Sequence, residues 1–280
     1  MTAVLRILWD VLAYRLRKLE MANMAGAIAI MLVLRLPPRE LLLRTLVAIL
    51  LNILVYLNND YYDVRQDLSA QGRDVQRTRF LSEHMAAARL AQLLVAALLA
   101  GVAIVAGEGL WLVAGLGAGI CWWYSARLKR TPYADVLAMI AWGGAMPMCG
   151  VPLHSTLGLC MAGQLALYSG VFESMQVRRD RLEDAAAGVR TTAVVLGHRG
   201  TAWLTRSLIV VSALYCAAVL HPLAGGLSVL ALWVGVTDDA ARDWTRVKVV
   251  LGVAWLVCCG LIYAAGGSSG LWLRLLVETG

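Results

Sequence analysis

The sequence predicts an all-α, polytopic membrane protein, and three observations predict it. Of 280 residues, 60% are hydrophobic and 15% are charged, against about 25% charged in a soluble domain. The mean hydropathy is +0.70. Apolar stretches recur at lengths that cross a bilayer, which takes about 20 residues of helix. Backbone groups inside lipid must bond within their own segment, so such stretches are helices.

Nine spans follow in order, at 21–36, 40–58, 85–106, 109–124, 134–151, 153–176, 203–220, 223–237 and 247–265. In the fifth, GGAMPMCG, Pro147 kinks the helix, and Gly143 and Gly144 admit a close neighbour. The spans make a single domain over 1–280. Ahead of them, MTAVLRILWDVLAYRLRKLE is amphipathic and basic, without the small-residue site of a cleaved leader. The connections alternate. Those at 59–84, 125–133, 177–202 and 238–246 are long and charged; those near 37–39, 107–108, 152 and 221–222 are short and nearly uncharged. The charged loops therefore share one face with the N-terminus. Roughly 20 of the 25 Lys and Arg fall on that face, with Arg35, Arg39, Arg44 and Arg274 among the exceptions, and the positive-inside rule makes it cytoplasmic. The expected place is a cell (inner) membrane, crossed many times, with the N-terminus inside and the C-terminus outside.

Several function classes fall away. The net charge of +7 does not call for nucleic acid, because membrane topology accounts for basic loops. The six cysteines sit in or at the ends of apolar segments without zinc spacing and read as small helix residues. His84, His154, His198 and His221 have no spacing or acidic partners that suggest a metal. An ion or phosphate transporter would place acids mid-span in interrupted helices. Here the acids cluster at span ends.

Those acids carry the chemistry. NDYYDVRQD holds Asn59, Asp60, Asp63 and Asp67, and RRDRLED holds Asp180 and Asp184. Asp63/Asp67 and Asp180/Asp184 are i, i+4 pairs, which on a helix share one face. Two facing pairs make an oxygen-rich pocket for Mg²⁺. Cations surround them: Arg65, Arg73, Arg77 and Arg79; Arg127, Lys129 and Arg130 after Tyr124; Arg178, Arg179, Arg181 and Arg190. A diphosphate carries about three negative charges, which metals and such cations together neutralise. The pocket suits ionisation of an allylic diphosphate, because it stabilises charge on the leaving oxygen. The carbocation left behind wants a dry cavity lined by aromatic faces. Tyr61, Tyr62, Trp122, Trp123, Trp142 and Tyr168 are candidates for that lining, and equally for interfacial or packing aromatics.

The same residues resemble a family. NDYYDVRQD is similar to the N-D-x-x-D-x-x-x-D motif of the UbiA superfamily of intramembrane prenyltransferases. RDRLEDAAAGVRTTAVVLG resembles its second motif through Asp180, Asp184, Gly188, Thr191 and Leu196-Gly197, and YSARLKR resembles its Tyr-to-Lys-Arg segment. The resemblance implies a bundle of nine transmembrane helices around a central cavity open to lipid. It implies Mg²⁺ held by Asn59, Asp63, Asp67, Asp180 and Asp184, with Asp60 in support, and diphosphate contacts from Arg77, Tyr124, Lys129 and Arg130. The implied reaction moves an isoprenoid chain from its diphosphate to an aromatic or other lipophilic acceptor. Asp63, Asp67, Asp180 and Asp184 are the residues expected to carry catalysis. Where relatives with aromatic acceptors read R-P-L-x-x-G, this chain reads Arg79-Phe80-Leu81-Ser82-Glu83-His84. That departure keeps a terpene cyclase of the same family open, in which an internal double bond captures the cation. Arg17, Glu20 and Asn23 could point into the cavity without matching an acceptor signature.

Overall fold

A computed structural model describes residues 2–18, 20–69, 75–107, 109–234, 237 and 239–266. Twelve helices run through them: α1 (Ala3–Arg17), α2 (Ala22–Val33), α3 (Pro38–Ser69), α4 (Val75–Glu83), α5 (Met85–Ala106), α6 (Leu110–Ala126), α7 (Ala134–Ala145), α8 (Thr156–Ala186), α9 (Thr192–Tyr215), α10 (Pro222–Val229), α11 (Ala231–Val234) and α12 (Ala240–Ala264). Among the described residues each of the nine expected spans overlaps helix, the eighth, 223–237, being divided between α10 and α11. Among the described residues, four helical stretches are long and apolar enough to cross a membrane by length and composition: Pro38–Arg65, Met85–Ala106, Thr192–Leu220 and Ala240–Ala264. Ala22–Val33, Leu110–Ala126, Ala134–Gly150 and Pro222–Val234 are shorter apolar helices. The chain is a multi-pass, all-helical membrane protein.

Two of the charged loops are a correction. Most of 59–84 is helix, because α3 continues to Ser69 and α4 begins at Val75. Likewise α8 runs past its apolar part to Ala186. Both acidic motifs are therefore polar ends of long helices, where the i→i−4 ladder continues after the apolar sequence stops.

Two apolar clusters build the bundle. One joins α2, α8, α9, α10 and α12 around Met161, Val171, Ile209, Leu251 and Cys258. The other joins α3, α5, α6 and α7 around Leu51, Leu99, Val113 and Trp142. Bilayer lipid weakens the hydrophobic drive between helices, so close backbone approach matters more. A Cβ on Gly143 would collide with the Ser169 side chain and lie 3.0 Å from the Leu165 carbonyl, so α7 and α8 meet at this glycine.

Pro147 ends α7 and opens a 3₁₀ turn over Pro147–Gly150. The break frees carbonyls in the buried interior, where each must find a donor. Arg44, 2% exposed, donates to the carbonyls of Cys149 and Val151 at 3.3 Å each. It is thus an internal strut rather than a topological charge.

Candidate active site

All four charged connections meet at one end of the bundle. Lys129, in the 3₁₀ turn Leu128–Arg130, reaches Asp63 on α3. Asp135, at the start of α7, takes hydrogen bonds from the Thr192 amide at 2.7 Å and from its hydroxyl. Arg178 of α8 pairs with Asp243 of α12 at 3.3 Å. Gly188, at φ +71°, lets the chain leave α8 in the left-handed conformation that favours glycine. Thr191 then starts α9. The G-x-x-T spacing is a helix stop and a helix start.

The first motif faces inward. Asp60, Asp63 and Asp67 are 3%, 3% and 7% exposed, and Asn59 is half-buried. Asp60 is clamped between Arg15, from α1, and Arg77, from α4, the latter at 2.6 Å. Arg15 also reaches Glu20 at 2.5 Å and lies 4.4 Å from the Tyr56 ring. Burial works against the Arg15 charge, but Asp60 and Glu20 outweigh it and hold the guanidinium above its ordinary value. Asp63 Oδ2 accepts from Lys129 Nζ at 2.5 Å. Its Oδ1 is buried and accepts no hydrogen bond from the described residues.

The second motif is wetter. Asp180 is half-buried and takes a two-pronged contact from its neighbour Arg179, at 2.7 and 3.1 Å. Asp184 is 8% exposed. Burial first, then the charge of Asp180, push its carboxyl above the ordinary aspartate value, with Lys129 opposing. Lys129 thus touches Asp63 and acts on Asp184, linking the two motifs.

Several other expected residues have partners or positions of their own. Tyr124 is buried and donates to Glu173 Oε1 at 2.8 Å. Arg130 is exposed on the rim of a cavity of about 570 Å³ that Tyr62, Arg65, Ser125 and Val189 also line. Trp122 and Trp123 point outward, at 54% and 56% exposed, as an interfacial belt would. Tyr168 is spent on Ser228 at 2.8 Å. Arg178 turns to Asp243, away from the acids. Glu20 and Asn23 face inward, Asn23 toward Ser169 at 3.2 Å, whereas Arg17 is exposed. Arg73 lies outside the described residues.

Sequence reasoning missed Arg15, Asp135 and Glu173. Glu173 had a signal: it is an acid inside a span, and such residues are functional by default. It also lies seven residues before Asp180, two turns along one face. Arg15 had none, being one of several cations in a basic segment.

The donors are hard oxygens, and the orphaned Asp63 Oδ1 is the kind of atom a divalent cation takes. Among the described residues, no three His, Cys, Asp or Glu side chains converge closely enough to hold one ion. The arrangement suits Mg²⁺ by chemistry, with the cations of the chain itself seated on the first motif.

No curated protein matches this sequence. Solved structures do. A UbiA homologue from Archaeoglobus fulgidus bound to DMAPP and Mg²⁺ aligns with a TM-score of 0.68 at 15% identity, covering 94% of this chain and 99% of that one. A structure of digeranylgeranylglyceryl phosphate synthase in membranes aligns at 0.71 and 13%, covering 94% and 100%. An apo UbiA homologue from Aeropyrum pernix K1 aligns at 0.61 and 16%, covering 93% and 98%. At such identities the likeness concerns the fold. The UbiA prenyltransferase family model matches residues 22–240. With that match over most of its length, on the fold described above, the chain belongs to the UbiA prenyltransferase family.

Proposed function

We propose that this protein transfers an isoprenoid chain from its diphosphate to an aromatic or other lipophilic acceptor, using Mg²⁺. The observation that carries the reading is Lys129, bonded to Asp63 at 2.5 Å, whose charge also opposes the raised carboxyl of Asp184. One cation between two acidic helix ends marks where an anionic substrate and its metals would meet. The A. fulgidus homologue solved with GPP and Mg²⁺ supports the same choice of donor and metal.

Asn59, Asp63, Asp67, Asp180 and Asp184 would hold the metal, with Asp60 in support. When bound, Mg²⁺ supplies charge stabilisation to the leaving diphosphate. The rest falls to side chains. Lys129, Arg130 and Arg77 meet diphosphate oxygens, Lys129 as a compact ammonium and the arginines as forks. Asp60 holds Arg77 on its rail beside the site. Tyr124 and Glu173 fix the wall where α6 faces α8. The C–O bond of the allylic donor breaks, the electron pair leaves on the diphosphate, and the acceptor attacks C1 and gives up its proton. The charged end would face the cytoplasm of a cell whose inner membrane holds the bundle, with diphosphate released there and product into lipid.

The test incubates purified protein and Mg²⁺ with a panel of prenyl diphosphates, with and without phenolic acceptors, and identifies products by mass spectrometry. Acceptor-dependent prenylated product is expected. Cyclised hydrocarbon or alcohol from donor alone would instead establish the cyclase reading, which the sequence Arg79-Phe80-Leu81-Ser82 favours.

A further inference from the structure

α8 has a second polar face. Arg178 lies two residues before Asp180, about 200° around the helix, so its side chain departs on the side away from the acids. There it borders a groove of about 430 Å³ between α8 and α9, lined by His198, Arg199, Trp203, Arg206 and Thr237 as well. Arg199, Trp203 and Arg206 are spaced i, i+4 and i+7, which puts them on one face of α9. They lie where its apolar stretch begins. Arg199 is exposed, Trp203 is 66% exposed, and the Arg206 guanidinium sits 5.4 Å from the Trp203 ring.

The charged side chains that line the groove are basic. Three guanidiniums and an imidazole border the groove, and no carboxylate among the described residues lines it. Asp243 pairs with Arg178 at 3.3 Å. Its oxygens are also occupied by the Thr237 amide at 2.6 Å and the Thr237 hydroxyl at 2.8 Å. Arg178 is 3% exposed, yet its buried Nε has no hydrogen-bond partner among the described residues. A buried donor of this kind wants an acceptor.

We propose that this groove binds the phosphodiester headgroup of an anionic bilayer lipid. Arginine forks match phosphate oxygens. Basic pockets between transmembrane helices take lipid headgroups. An exposed Trp one turn into an apolar helix belongs at headgroup level, with its ring toward the acyl chains. Arg206, a further turn in, stands beside the same ring, and an arginine's apolar stem is long enough to carry its charge to that level. A soluble phosphate would explain the arginines but not Trp203. The site is independent of the transferase reading, because it lies on the opposite side of α8 from Asp180 and Asp184.

The test offers the detergent-purified protein equal amounts of phosphatidylglycerol and phosphatidylcholine and counts retained lipids by native mass spectrometry. Wild-type protein is expected to retain phosphatidylglycerol at least about fivefold over phosphatidylcholine. Arg199→Gln, at an exposed position that does not endanger folding, should lose part of that preference. Arg199→Gln with Arg206→Gln should bring it within about twofold of parity. A parallel arm adds inorganic phosphate and glycerol 3-phosphate at millimolar concentration, and neither should displace the lipid. Equal lipid preference in wild type and both variants would overturn the proposal. Displacement by inorganic phosphate would overturn the lipid assignment in favour of a soluble anion.

Discussion

The two acidic helix ends look alike in sequence and are held differently in the fold. At the end of α3, the carboxylates meet cations brought from elsewhere in the chain: Arg15 from α1, Arg77 from α4 and Lys129 from the turn after α6. At the end of α8, Asp180 pairs among the described residues with the adjacent Arg179, and burial together with the charge of Asp180 raises the Asp184 carboxyl. The first end is braced by long-range ion pairs. The second is the more open to a partner from outside the chain. A family motif thus repeats in sequence with unequal electrostatic duty, and mutation can separate the two.

The largest expected effect tests whether both ends serve one reaction. Asp63→Ala and Asp184→Ala should each remove at least about 100-fold of the prenyl-transfer rate, and EDTA should do the same to wild type. Folded mutants that keep near wild-type turnover, or full activity in chelator, would dissolve the pairing of the two ends.

Asp60 should behave differently from Asp63. Asp60→Asn leaves Arg15 and Arg77 facing each other near a buried site, and breaking such a pair costs about 3 kcal/mol or more. A lowered melting temperature in detergent, with a smaller loss of turnover than Asp63→Ala, is the expected result. An Asp60 variant as stable as wild type but as inactive as Asp63→Ala would make Asp60 a metal ligand rather than a brace.

Lys129 touches the first end and acts by charge on the second. Lys129→Ala should raise the donor KM and lower kcat by about tenfold overall, while Mg²⁺ affinity holds or improves because Asp63 is freed. Lys129→Arg should recover only part of this, since a planar fork does not replace an ammonium. Unchanged KM and kcat in a correctly inserted Lys129→Ala protein would reduce the residue to a surface charge.

The smallest effect is a pH dependence confined to the second end. The folded carboxyl of Asp184 is raised above its unfolded value, so its ionised form is disfavoured by the fold. That penalty is present above the folded pKa and is relieved as pH falls through it toward the unfolded value. With metal chelated, the melting temperature should gain a small increment on acidification just above the usual aspartate range. Asp184→Asn should remove that increment, and Asp60→Asn should leave it in place. A scan with identical slopes for wild type and Asp184→Asn would show that Asp184 titrates normally.

Where the helices lie, and what they can contain, is legible in the chain alone. Apolar spans with few charges admit only helix in lipid, and each expected span overlaps helix among the described residues. The residue pattern also marked both acidic motifs and Lys129, because an acid cluster in so apolar a chain has little structural use. It misplaced the motif boundaries at 59–84 and 177–202, since hydropathy stops where apolar residues stop, while the helical ladder of α3 and α8 does not. The partners of these groups follow from folding. Arg15 is one arginine among several in a basic segment until α1 folds back onto Asp60. Arg44 is a stray charge until the Pro147 break offers it two carbonyls. Trp122 and Trp123 could have faced a cavity, and the rotation of α6 turned them outward. Charge type and spacing are local properties that a sequence carries. Which cation reaches which carboxylate depends on contacts between residues 17 to 66 positions apart, and helix packing alone sets those.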